Sequence, residues 1–181
     1  MNDPHSPSPA VRVLLAEDDP ICGRSLASLL QRHRYEVELV ADGRDALDIL
    51  LGANSPSVVL LDWDMPRLDG LRVARAVRSI PTERYTYLIM VTACDSAEDL
   101  LNAFASGVDD FLSKPVSIPQ MLARLRGAKR VLALEERLPA RDAELERTLD
   151  EMKALRRLRP PDMPSQKRAP STIIGRRLKL G

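Results

Sequence analysis

The feature that most constrains this chain is a set of short apolar runs, each closing on a polar residue and each followed by a helix-periodic stretch. Val13-Leu14-Leu15-Ala16, Val58-Val59-Leu60-Leu61 and Leu88-Ile89-Met90-Val91 offer no polar face. Strands made from them must be covered on both sides. Predicted strands over Val11–Ala16, Tyr35–Val40, Val58–Leu61, Leu88–Thr92 and Asp110–Ser113 alternate with predicted helices. The helices cover Pro20–His33, Arg44–Leu51, Leu71–Ser79 and Ala97–Ser106, and another begins near Ile118. This alternation predicts an α/β, doubly wound, five-stranded parallel sheet. Hydrophobic residues make up 44% of the chain and aromatics 3%, so the core must be aliphatic.

Helix starts carry their own chemistry. Pro20 follows acidic residues and suits a first helical turn, and Asp95-Ser96 precedes Glu98-Asp99. Gly43, Gly70 and Gly107 fall at expected loops or helix ends. No internal repeat is visible.

The two ends of the chain differ from its middle. Residues 1–10 contain Pro4, Pro7 and Pro9 and read as a disordered lead-in to a domain over residues 11–130. Residues 131–158 read as a helical or coiled-coil extension that Pro139 kinks or splits, because proline removes a backbone donor and clashes one turn back. Val131, Leu138, Leu145 and Met152 share one heptad position. Leu134, Arg141, Thr148 and Leu155 share its partner, so the seam is half apolar. Residues 159–181 hold six basic side chains against one acid, a net +5, and four prolines; they read as a disordered basic tail. The other 158 residues sum to −4.

Cys22 and Cys94 make neither a disulfide framework nor a metal site. With no basic-then-apolar leader and no apolar run of 18 residues, the expected location is cytoplasmic, without a membrane span.

Acidic residues mark the strand ends. The first strand runs into Glu17-Asp18-Asp19 and the third into Asp62. In an open parallel sheet these ends line the ligand crevice. Neighbouring first and third strands would bring the carboxylates together, a cluster that a hard divalent ion neutralises. Thr92 and Lys114 stand at the ends of the fourth and fifth strands. A carboxylate nucleophile beside a divalent ion, an ammonium and a hydroxyl is a constellation for phosphoryl transfer. The acidic pair can be read as Glu17-Asp18 or as Asp18-Asp19; the apolar run ending at Ala16 favours the first.

Four stretches carry a resemblance: Val13–Pro20 (VLLAEDDP), Leu60–Gly70 (LLDWDMPRLDG), Val91–Ala93 (VTA) and Gly107–Pro115 (GVDDFLSKP). In this order and spacing they resemble the receiver domain of two-component response regulators. The resemblance implies a flavodoxin-like sheet of order 2-1-3-4-5. It implies Asp62 as phosphoacceptor from a histidine kinase or phosphotransfer protein. Mg²⁺ would be held by Asp18, Asp62 and the backbone carbonyl of Asp64, with Glu17 acting mainly through a metal-bound water. Lys114 would contact the phosphoryl group, and Thr92 would hydrogen-bond it and move on activation. Phe111 takes the place of the switch aromatic, and Pro115 would follow a cis peptide. Asp64 and Cys94 stand beside the expected path of the hydrolytic water.

Receivers similar to this one, with Tyr-Thr-Tyr-Leu-Ile-Met before Val-Thr-Ala, often lead through a coiled helix into a diguanylate cyclase or phosphatase. Here no Gly-Gly-Asp-Glu-Phe signature, metal-binding His/Asp motif or helix-turn-helix pattern follows residue 130. The expectation is a phospho-switch rather than an enzyme, acting by homodimerisation through the last receiver helix and its extension, or through a downstream protein. Asp109 or Asp110 pairing with Arg124 or Arg126 would suit such a dimer. The alternative is a basic tail that contacts nucleic acid or another anionic surface; it contains no aromatic for base stacking, which makes nucleic acid the weaker expectation.

Overall fold

Four of the helices begin on a side chain that satisfies their free backbone amides. Asp19 accepts from the Ile21 and Cys22 amides at 2.7 and 3.1 Å to start α1 (Pro20–Arg32). Asp42 does the same for Arg44 and Asp45 at the head of α2 (Gly43–Leu50). Asp69 caps α3 (Gly70–Ser79) through Arg72, and Ser96 caps α4 (Ala97–Ala105) through Asp99. Each such cap contributes about 1 kcal/mol. The fifth helix, α5 (Ile118–Glu135), relies instead on Pro119 in its first turn.

The computed structural model describes residues 11–81, 84–93 and 96–158. The lead-in, Cys94, Asp95 and the basic tail lie outside the described residues. Strands β1 (Val11–Ala16), β2 (Tyr35–Val40), β3 (Val58–Asp62), β4 (Tyr87–Thr92) and β5 (Asp110–Ser113) form one parallel sheet of order β2-β1-β3-β4-β5. This is the doubly wound sheet expected, with β3 extending one residue further, to Asp62, and β4 starting one earlier, at Tyr87.

Both faces are covered. Alternate residues Val13, Leu15, Leu60, Ile89 and Val91 pack beneath Ala27 and Leu30 of α1 and Met121, Leu125 and Ala128 of α5. Leu14, Ala16, Leu61, Leu88 and Met90 pack beneath α2, α3 and Ala103 of α4. The strand period of two sends neighbours to opposite layers, which is why the central runs are apolar throughout.

At the N-terminal edge of the sheet, Arg78 of α3 ties three segments together. Its guanidinium donates to the carbonyls of Gly107 and Thr86 at 2.9 Å each and to Asp109 at 2.7 Å. Asp109 also accepts from the Leu88 amide and the Tyr85 hydroxyl, and Arg78 stacks over the Tyr85 ring. Asp109 is thus held by three donors of its own chain. Asp110 stands 3.3 Å from Arg124 of the same chain.

The helical extension also differs from expectation. The boundary at residue 130 falls inside α5, whose Val131 and Leu132 still pack against the core. The helix ends at Glu135, and a turn closed by the Arg137 amide on the Leu134 carbonyl precedes a separate helix, α6 (Leu138–Leu158). Pro139 is therefore a first-turn proline, where its missing amide costs nothing, and of the expected kink or split the stretch shows a split. Residues 11–140 and 141–158 belong to two units. Within α6, Leu145, Leu149 and Met152 are exposed.

Candidate functional site

The order of the sheet sets the site. β1 and β3 are neighbours with Ala16 opposite Leu61, so the next residues along, Glu17 and Asp62, leave the sheet side by side. They do so where the winding direction reverses, which is where open α/β sheets bind ligands. Glu17 stays attached to the sheet through its amide, 3.0 Å from the Val40 carbonyl, and both acids are buried. Asp18 follows, exposed. Carboxylate oxygens from Glu17, Asp18 and Asp62 all lie within 4.8 Å of one another. Among the described residues, no other such cluster occurs. Asp19 caps α1 and is not part of this cluster.

Lys114 reaches in from the end of β5. Its ammonium donates to Asp62 Oδ2 at 2.7 Å and to Glu17 Oε1 at 2.9 Å, while its amide donates to the Thr92 carbonyl at 2.8 Å. The Lys114–Pro115 peptide is cis. Thr92 is buried at the end of β4, beside Ser113 in register. Glu17, Asp18, Asp62, Thr92 and Lys114 therefore all stand at the C-terminal edge of the sheet, as the sequence led us to expect. Phe111 is half-buried near the middle of β5, packed on the layer beneath α2, α3 and α4. Asp64 is exposed in the loop after β3, and Trp63 is half-buried beside Asp62.

The electrostatics suit a bound cation. Burial raises the Glu17 carboxyl, the Lys114 ammonium opposes that rise, and the neighbouring Asp62 charge adds to it. Burial disfavours the Lys114 ammonium, yet its bonds to Asp62 and Glu17 outweigh that and hold it above the ordinary lysine value. Glu17 Oε2 also lies 2.8 Å from the ammonium, so both its oxygens face Lys114. Three carboxylates gathered on one ammonium leave an excess of negative charge that fits a hard divalent cation with oxygen ligands.

The loop joining β3 to α3 is tightly held. A side chain at Gly70 would place its Cβ 2.2 Å from the Asp62 carbonyl oxygen, so glycine alone permits the chain to double back over the end of β3. The Gly70 amide donates to the Trp63 carbonyl at 2.9 Å, closing the loop. Arg67, inside it, has a left-handed φ of 64° and pairs with Asp42 and Asp45 of α2. Our sequence reading missed this pair. Asp42-Gly43 has the form of a helix start, but nothing local marks Arg67 as its partner across the fold.

Comparison with known proteins agrees with this geometry. A family model described as "Response regulator receiver domain" matches residues 13–126. The response regulator MprA of Mycolicibacterium vanbaalenii is 41% identical over 120 residues, covering 66% of this chain and 51% of that protein. MprA of Mycobacterium sp. (strain KMS) is 40% identical over 126 residues, 70% of this chain and 54% of the relative. The chain thus spans about half the length of these curated relatives. Among solved structures, the Francisella response regulator 1452 receiver domain superposes with a TM-score of 0.61 at 31% identity, covering 66% of this chain and 98% of that one. The chemotaxis protein CheY4 of Vibrio cholerae gives 0.61 at 30% identity, with coverage of 66% and 98%.

Proposed function

The chain belongs to the response regulator receiver domain family, and from that premise we propose that Asp62 is its phosphoacceptor and Mg²⁺ its cofactor. The observation that carries this reading is Lys114 bonded to Asp62 and Glu17 at the β1–β3 switch point. Glu17, Asp18, Asp62 and the Asp64 carbonyl supply the oxygen donors for the ion, Glu17 mainly through water. The ion, when bound, neutralises charge on the phosphoryl oxygens.

The chain's own groups do the rest. An Asp62 oxygen attacks the phosphorus of a partner's phosphohistidine; an O–P bond forms as the N–P bond breaks, and the imidazole departs. Lys114 moves its ammonium from the bare carboxylate to the new phosphoryl oxygens. Thr92 moves toward the phosphoryl group and donates its hydroxyl to another of its oxygens. Phe111 follows as the switch aromatic, altering the face made by α4, β5 and α5. Attack by water on the aspartyl phosphate resets Asp62, and no other chemistry is assigned to the chain.

The output is a change in association, by homodimerisation through α5 and α6 or by binding a downstream protein. The exposed Leu145, Leu149 and Met152 of α6 support a helical partner. A phosphorylation that binds two conformations unequally shifts their populations by that difference. A cytoplasmic location belongs to the same reading; no described helix is long and apolar enough to cross a membrane.

Sedimentation of wild type and Asp62→Asn, each with and without Mg²⁺ and beryllofluoride as phosphoryl mimic, tests the proposal. Wild type should bind the mimic and change assembly, and the variant should do neither. A dimer indifferent to the mimic in wild type would make α6 a constitutive clamp, and a monomer indifferent to it would remove the switch from dimerisation.

A further inference from the structure

The loop after β3 is held from two sides, and the second hold lies outside the site. Gly70 and Asp62 fix its ends, as described above. On the far side, a Cβ at Gly43 would stand 1.9 Å from the Leu68 carbonyl oxygen, so α2 and the loop touch backbone to backbone. At that contact Arg67 adopts a left-handed φ of 64°, a conformation that costs free energy for any residue with a side chain. Its guanidinium pairs with Asp42, the buried cap of α2, and with Asp45 one turn on, at 2.6 Å. Strained backbone persists where surrounding contacts over-determine it. Here the contacts are two carboxylates on one arginine.

We infer that Arg67, Asp42 and Asp45 form a latch that sets the backbone of residues 63–69 for cation binding, making Arg67 and Asp42 positioning residues of the metal site. Asp64, whose carbonyl completes the proposed ligand set, lies three residues before Arg67 in this loop. A carbonyl ligand has no rotamer of its own; its aim is the aim of the loop. Opening the latch lets Arg67 relax from its left-handed conformation and turns the carbonyl away. This inference rests on the Mg²⁺ reading of the site.

The chain's one tryptophan, Trp63, adjoins Asp62 and reports on the site by fluorescence. The test is a Mg²⁺ titration of the full chain as wild type, Asp42→Asn, Arg67→Ala, Arg67→Lys and the Asp42→Asn/Arg67→Ala double variant. Asp42→Asn keeps a capping side chain but removes the charge, and Arg67→Ala removes the charge and leaves the left-handed strain unopposed. Each should weaken Mg²⁺ binding roughly ten-fold, the lower end of what outer partners of a metal site contribute. The double variant should be no weaker than either single one, because one latch is lost only once. Arg67→Lys, which keeps the charge, should recover part of the affinity. Arg12→Gln removes two ion pairs, to Glu36 and Glu38, at the opposite edge of the sheet and should bind as wild type. Wild-type affinity in Asp42→Asn and Arg67→Ala overturns the latch alone. A wild type whose tryptophan and heat of binding are both silent to Mg²⁺ overturns the cation reading and the latch with it.

Discussion

The Lys114 ammonium stands 2.7 Å from Asp62 Oδ2, bridging the ends of two strands that do not touch in the sheet. It occupies the place where positive charge is needed before any ion or phosphoryl group arrives. Lys114→Met should therefore destabilise the Mg²⁺-free protein by about 1–3 kcal/mol, the range for hydrogen bonds to charged groups. Mg²⁺ should restore most of that loss and bind more tightly than in wild type, since no ammonium competes with it. Thermal unfolding with and without Mg²⁺ reads both effects.

Three consecutive acids divide their work, and the division can be measured. Asp19→Ala should cost about 1 kcal/mol through the lost cap and leave Mg²⁺ affinity nearly intact. Asp18→Ala should leave stability almost unchanged and abolish binding at millimolar Mg²⁺. Calorimetric titration of the two variants separates them; equal loss of binding in both would mean that the cap and the cation site are one.

Gly70→Ala forces a methyl group to within 2.2 Å of the Asp62 carbonyl oxygen. Backbone cannot yield there as a flexible side chain would. The expected cost is about 1–3 kcal/mol, as for overpacked positions, with loss of beryllofluoride binding because β3 and its loop shift together. Denaturant unfolding and a fluoride-mimic titration check the two parts; a variant as stable as wild type would refute the close approach.

Alkaline titration probes the clamp at the other edge. Burial, then the hydrogen bond to Asp109, push the Tyr85 hydroxyl up to about 12 from 10. The folded state therefore holds this proton over a range in which the unfolded chain has released it. Stability from this group is complete below pH 10 and is lost as pH rises from about 10 to 12. Tyr85→Phe should flatten that decline, and Asp109→Ala should bring the tyrosinate absorbance step to lower pH.

How much of this was legible beforehand varies with the range of the interaction. Elements Val11–Ala16 and Asp110–Ser113 emerged with their full bounds because apolar runs and flanking turns are local signals. Glu17, Asp18, Asp62, Thr92 and Lys114 were legible because each directly follows or ends a strand, and strand ends converge in this topology. Pro139 marked an interruption but left kink or split open, because a proline shows where a helix cannot simply continue and not whether it bends or restarts; here one helix ends at Glu135 and the next starts at Leu138.

By itself, then, the sequence determined the parallel sheet with helices on both faces: four-residue apolar runs have no other way to hide both sides. It also determined which side chains would meet at the sheet edge. Only the tertiary structure decided that Asp109 serves Arg78 and Tyr85, and that Arg67 closes on Asp42. Those partners stand up to 31 residues apart, and a carboxylate's local sequence says that it needs a donor without saying which one will reach it.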